Sequence, residues 1–181
     1  MKAWKHFCTI TYHRWLVMRG CFAMGLYWQG LVHDLSKYSP TEFLVGCKYY
    51  AGYRSPNDFE RKAIGYSSAW LHHKGRNKHH FEYWVDYIVD ADNEKVRMGG
   101  IRMPEKYVAE MFADRIAASK VYQKDAYTDR SPLEYFERGQ KHGARFMHEE
   151  TEALLQSMLT MLAEKGEKET FTYIKKHILK K

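Results

Sequence analysis

Residues 30–42 read GLVHDLSKYSPTE, and this stretch decides the fold. Its first half sets a histidine beside an aspartate, His33-Asp34, with Lys37 three residues after the Asp. Its second half, Ser39-Pro40-Thr41-Glu42, is a helix start. Ser39 is placed to cap, Pro40 suits the first helical position, and Glu42 is placed to close a capping box. Metal-capable side chains therefore lead directly into a helical signal, which predicts a centre assembled from helices.

The same punctuation recurs along the chain. Ser55-Pro56-Asn57-Asp58 is a second start, and Ser131-Pro132-Leu133-Glu134 repeats the full box. These signals predict helices over 40–51, 57–73 and 132–141. Upstream, Thr9, Ile10, His13, Leu16 and Val17 form one helical stripe within 3–19. Gly20 and Gly25 mark a turn or a tight helix crossing, and a second helix runs from there to about Lys37. Pro104 opens a helix over 105–122, and Gly166 parts the last two, 144–164 and 167–178. The stretch 82–103 is the exception. Tyr87, Ile88 and Val89, then Asp90-Ala91-Asp92-Asn93, then Val96 to Ile101 read as a short β-hairpin or ordered loop near 85–101. The expected fold is all-α: one helical-bundle domain over 1–181, its motif core spanning about 8–122, with C-terminal helices over 132–178 packed on it.

Composition narrows the classes. At 181 residues the chain suits one domain with a real core, and 45% apolar with 15% aromatic residues excludes a disordered chain. The formal charge of +7 suits a partner bearing phosphate or another acid. The basic residues are spread out, apart from Lys175, Lys176, Lys180 and Lys181 at the end, and no nucleic-acid motif accompanies them. Cys8, Cys21 and Cys47 are odd in number and lack a CxxC pair, which argues against a disulfide framework and a thiolate zinc site. Lys5, His6, His13 and Arg14 interrupt any apolar leader, and no stretch approaches the ~20 apolar residues that span a bilayer. The expected location is the cytoplasm.

Spacing ties the candidate ligands together. If the first two helices form an antiparallel hairpin, residues 13 and 33 are equidistant from position 23, inside the Gly20–Gly25 segment. His13 and His33 then lie at one height and face each other. Asp34, one residue on, points about 100° further around a helix and reaches the same point from another side. Asp114 lies on a stripe with Tyr107, Met111, Ala117, Ala118 and Val121, a face that is apolar apart from Glu110. A buried carboxylate there needs a cation or a basic partner such as Arg115. Two His and two Asp form a nitrogen and oxygen site for an open-sided divalent ion: Mn, Fe, Co, Ni or Zn.

The order His13, His33-Asp34, Asp114 resembles the HD-domain superfamily of metal-dependent phosphohydrolases, with Lys37 placed like a lysine of the second motif. The nearest resemblance is to a small bacterial family carrying the HDLSKYSP segment and the His72-His73, Asn77, His79-His80, Glu82-Tyr83-Trp84 segment. It implies hydrolysis of a phosphomonoester or phosphodiester, with a nucleotide as the expected substrate type. His13, His33, Asp34 and Asp114 would hold the metal, and Lys37 would neutralise phosphate. The spacing from His13 to His33 is short for that superfamily, and the four histidines at 72, 73, 79 and 80 are more than its minimal pattern. They raise the expected count from one ion to one or two. Which of the four bind stays open; the working division gives His72 and His80 to metal, His73 to catalysis with Asp34 and Lys37, and His79 to substrate with Arg76 and Asn77. At least two of the four read equally as solvent-exposed loop histidines.

Tyr49, Tyr50, Tyr53, Tyr83, Trp84 and Tyr87 read as packing or as base-stacking surfaces. His142, His148, Glu149 and Glu150 read as a solvated helical face. The expected partner is a phosphate-bearing small molecule, with a second copy of the chain as a further partner; nucleic acid and membrane are not expected. The alternative to an enzyme is a helical module that binds metal or nucleotide without turnover.

Overall fold

Helix α6, Glu105–Gln123, is the axis of the molecule. Val108, Ala109, Met111, Phe112, Ala113, Ile116 and Ala117 are all buried along it, so α6 needs neighbours on several sides. In this computed structural model, which describes residues 1–89, 95–142 and 146–180 with the side chains of 141 and 142 left out, α1 (Lys2–Ala23) and α8 (Glu149–Tyr173) supply them. Helix α1, Lys2–Ala23, turns His6, Ile10, His13, Val17, Gly20 and Cys21 inward. Gly20 makes the crossing tight: a Cβ there would lie 3.2 Å from the Ala113 Cβ. Gly25, at φ 77°, takes the left-handed turn into α2, Tyr27–Val32.

Helix α2 stops at Val32, short of the predicted end near Lys37. His33 leaves the helix in an extended conformation, and Asp34 adopts the left-handed one at φ 54° and ψ 24°. A short 3₁₀ turn, Leu35–Tyr38, follows. The Arg14 guanidinium anchors this break, donating to the carbonyls of His33 at 2.7 Å and Leu31 at 3.0 Å. Asp34 therefore reaches its neighbours from a turn, not from the second face of a helix.

Helix α3 spans Pro40–Tyr49. The expected helix over 57–73 is two helices, α4 (Pro56–Ile64) and α5 (Ser68–Lys74). Gly65 at φ 87° ends the first, and Ser67 caps the second by accepting from the Trp70 amide at 3.0 Å. The segment after α5 forms a 3₁₀ turn, Phe81–Trp84, and an antiparallel hairpin of β1 (Val85–Val89) and β2 (Val96–Gly100), with Val85 opposite Gly100. The expected Asp90–Asn93 connection lies outside the described residues, as do the His142 side chain and Lys181.

Helices α7 (Ser131–His142) and α8 (Glu149–Tyr173) close the bundle, and a π-helical turn, Ile174–Ile178, ends it. Gly166, at φ 77°, breaks α8 where a helix boundary is expected. Leu155, Met158, Leu159 and Leu162 join the core, and Phe171 meets Phe112 edge-on at 6.1 Å. One apolar core runs from Val17 to Ile174, so the fold is a single all-α domain with a small hairpin. All three cysteines are unpaired. Among the described residues, no helix is long and apolar enough to cross a membrane.

Candidate metal centre

Asp34 is the hub of the site and is fully buried. Its Oδ2 faces His33 Nε2 at 3.2 Å and His13 Nε2 at 3.6 Å. Its Oδ1 faces His73 Nε2 at 3.2 Å and His79 Nε2 at 3.4 Å. Asp114 Oδ1 completes the first side, 2.9 Å from His13 Nε2 and 3.5 Å from His33 Nε2. His80 completes the second, its Nε2 2.9 Å from that of His73. Among the described residues, two metal-capable groups thus share one carboxylate, His13, His33, Asp34 and Asp114, and Asp34, His73, His79 and His80, and a third, His33, His79 and Glu110, joins one ring of each.

Three of the five histidines, His33, His73 and His79, are held from behind by acids. Glu110 Oε1 lies 2.9 Å from His33 Nδ1 and 3.2 Å from His79 Nδ1, so one carboxylate orients a ring in each group. Glu42 Oε2 lies 2.8 Å from His73 Nδ1. An Nδ1–H donated to a carboxylate leaves Nε2 as the free lone pair pointing inward, the tautomer a metal ligand needs. This explains why Glu42 does not close the expected box at Ser39, whose hydroxyl makes no cap: its carboxylate is turned toward His73 and toward His72, at 2.6 Å. Ser131 departs similarly, its hydroxyl accepting from the Thr128 amide at 3.0 Å.

Electrostatics reflects the crowding. Burial opposes a charge on His33, but the Asp34, Asp114 and Glu110 carboxylates outweigh it and hold His33 well above the ordinary histidine range. Burial likewise opposes ionisation of Asp34, yet His33, Lys37 and His73 hold it well below the ordinary carboxylate range. His80 is pushed well down, by burial first and then by His79 and His73. Lys37, whose Nζ is 2.5 Å from Asp34 Oδ2, is held above the usual lysine range against its own burial by Asp34 and Asp114.

The fit to a cation rests on what these atoms lack. His13 Nε2, His33 Nε2, His79 Nε2 and both Asp34 oxygens are buried without a well-formed hydrogen bond. Buried polar atoms are normally hydrogen-bonded, and five converging exceptions, paired only by charge with one another, Asp114 and Lys37, are compatible with a common cation. Nitrogen and carboxylate donors with an Nδ1–carboxylate outer layer suit a divalent transition metal.

The structure brings together His13, His33, Asp34, Lys37, His73, His79, His80 and Asp114. Three other expected residues lie outside the metal-capable groups. His72 is half-buried and outside all three groups, because one residue along α5 turns it about 100° away from His73. Asn77 donates to Ser36 Oγ at 2.9 Å and to the His73 carbonyl at 2.8 Å, tying α5 to the turn after Asp34. Arg76 is exposed and donates to the His72 carbonyl at 3.3 Å. None of the four cluster histidines is exposed, contrary to the loop reading of at least two. His148 caps α8, its Nδ1 accepting from the Glu150 amide at 3.2 Å, and Glu150 meets Arg102 at 2.9 Å.

A cavity of about 790 Å³ opens beside the centre. His13, His73, His80, Asp114 and Lys37 form its metal-capable end, and Arg54, Arg61, Arg115, Tyr53, Trp70 and Tyr122 line the remainder. The sequence signal for Glu110 was available, since it lies four residues before Asp114 and hence on the same helix face. Nothing local marked Glu42, which satisfies a capping pattern equally well.

Residues 2–161 match the family model DUF5662, described as a family of unknown function. Neither the curated proteins nor the solved structures contain a match.

Proposed function

The chain belongs to the DUF5662 family, and we propose that it is a metal-dependent phosphohydrolase of the HD type, cleaving a phosphoester of a small molecule such as a nucleotide. The observation that carries this reading is the set of five buried nitrogen and oxygen atoms, none with a well-formed hydrogen bond, converging beside a cavity lined by charged residues. His13, His33, Asp34 and Asp114 would hold one divalent ion, and Asp34, His73, His79 and His80 a second. Such ions supply Lewis acidity toward a phosphoryl oxygen and lower the pKa of water.

The chain's own residues prepare the rest. Glu110 and Glu42 hold the imidazoles in the Nε2-inward tautomer. Arg14 locks the turn that presents His33 and Asp34. Lys37 places an ammonium between Asp34 and the cavity, where it offsets phosphate charge. The cavity volume of about 790 Å³ suits a nucleotide-sized ligand, and Tyr53, Trp70 and Tyr122 offer it apolar faces. Unpaired Cys8, Cys21 and Cys47 fit the cytoplasm.

Elemental analysis of untreated protein, followed by hydrolysis of a generic phosphoester panel with Mn²⁺ or Co²⁺, tests this. The expected result is bound metal and turnover, with Asp34→Ala losing both, turnover by about a thousandfold or more. Stoichiometric metal without turnover on a broad panel would instead favour a binding module, and absence of metal would remove the reading.

A further inference from the structure

Four permanent cations line the cavity, and three already have acids. Lys37 pairs with Asp34 at 2.5 Å, Arg61 with Asp58 at 2.9 Å, and Arg54 with the same Asp58 at 3.9 Å. Arg115 is the exception: among the described residues no carboxylate lies within 4.0 Å of it. Its Nε is buried without a hydrogen-bond partner, and its guanidinium lies 5.6 Å from the centroid of the Phe136 ring, an apolar support that fixes the plane but accepts nothing. Glu82 lines the same cavity beyond ion-pair range.

Arg115 is half-buried, and a guanidinium whose buried Nε faces a cavity without an acceptor is costly unless a ligand provides one. Its planar fork matches two oxygens of a phosphate. Asp114 and Arg115 both line the cavity, so an anion on this fork shares it with the metal-capable end. We propose that Arg115 is the phosphate-anchoring residue of this site and that the substrate is a small phosphomonoester; the second half of the statement rests on the hydrolase reading above. A monoester has three non-bridging oxygens, so two can engage the fork while the third faces Lys37 and the Asp114 side. A diester has only two, and engaging both would leave none for that side.

Inorganic phosphate is the probe. It is titrated calorimetrically into wild type and Arg115→Gln, with chelator and again with Mn²⁺, while Mn²⁺ binding is measured on the same samples. Phosphate should bind wild type and bind Arg115→Gln about tenfold or more weakly, with Mn²⁺ affinity unchanged. Equal phosphate affinity in both proteins, or no phosphate binding by wild type, overturns the anchor. If Arg115→Gln fails to fold, Arg115→Lys serves, since it keeps the charge but loses the fork; undiminished phosphate affinity there also overturns it. Wild type should hydrolyse p-nitrophenyl phosphate in preference to bis(p-nitrophenyl) phosphate, with the preference lost through a raised KM in Arg115→Gln. A wild-type preference for the diester overturns the monoester assignment. Phosphate binding without Mn²⁺ binding removes the hydrolase reading and leaves the anchor; Mn²⁺ binding with an Arg115→Gln of undiminished phosphate affinity does the reverse.

Discussion

Glu60 and Asp34 are both buried acids, and their surroundings are opposite. Glu60 is satisfied by its own chain segment. Its Oε2 accepts from Ser67 Oγ at 2.6 Å and the Ala69 amide at 3.4 Å, and its Oε1 from Ser68 Oγ at 2.6 Å. Those bonds tie α4 to the start of α5 and hold the carboxyl below the ordinary range despite burial. Asp34 is ringed by imidazole nitrogens from four places in the chain and has an ion pair with Lys37, but neither oxygen has a well-formed hydrogen bond. A carboxylate saturated by hydroxyl and amide donors has a structural role. One surrounded by imidazoles, three of the four oriented from behind by another acid, is compatible with a partner that is itself positive.

The contrast is most sharply tested at Glu110, which supports a ring on each side of Asp34. Glu110→Gln should weaken Mn²⁺ binding by about ten- to a hundredfold while leaving the protein folded, measured by calorimetry beside a thermal melt. Unchanged affinity would mean that the acids behind the histidines are ordinary core neutralisers. Removing the other acid should do the converse. Glu60→Ala should cost about 2–3 kcal/mol in urea unfolding, with the metal content of the folded protein unaltered. A loss of metal there would erase the distinction between the two clusters.

The smallest expected effect belongs to His6, a buried histidine of α1 that lies outside all three metal-capable groups. It sits against Gly46, where an added Cβ would fall 2.1 Å from its Nε2. Burial, and then the Lys37 charge, lower its pKa from 6.5 to about 4. Because the folded value is the lower one, the unfolded chain binds the extra proton between them. The contribution of His6 is complete above pH 6.5 and is lost as pH falls toward 4, by on the order of 1–2 kcal/mol. Urea unfolding across that window should show the loss, and His6→Gln should flatten it; an unchanged pH slope in the variant would refute the assignment.

The helical signals were readable because they are local. Pro40, Pro56 and Gly166 mark boundaries through their own backbone constraints, and the structure places boundaries there. The missed break at Gly65 is also local, and Ser67 was the unread cap that follows it. The end of α2 was less accessible. Asp34 in a left-handed conformation is an uncommon choice for a non-glycine residue, and Arg14, twenty residues earlier, pins the carbonyls beside it.

By itself the sequence determined an all-α chain, its principal helix starts and the residues able to bind a cation at positions 13, 33, 34 and 114, because periodicity, caps and side-chain chemistry reside in short windows. The tertiary structure decided the division of labour. It turned His73, His79 and His80 inward and His72 aside, moved Glu42 from a cap to the back of an imidazole, and left Arg115 without a carboxylate in ion-pair range among the described residues. Those outcomes depend on which atoms meet across helices far apart in the chain, and on the energetic demand that buried polar atoms find partners.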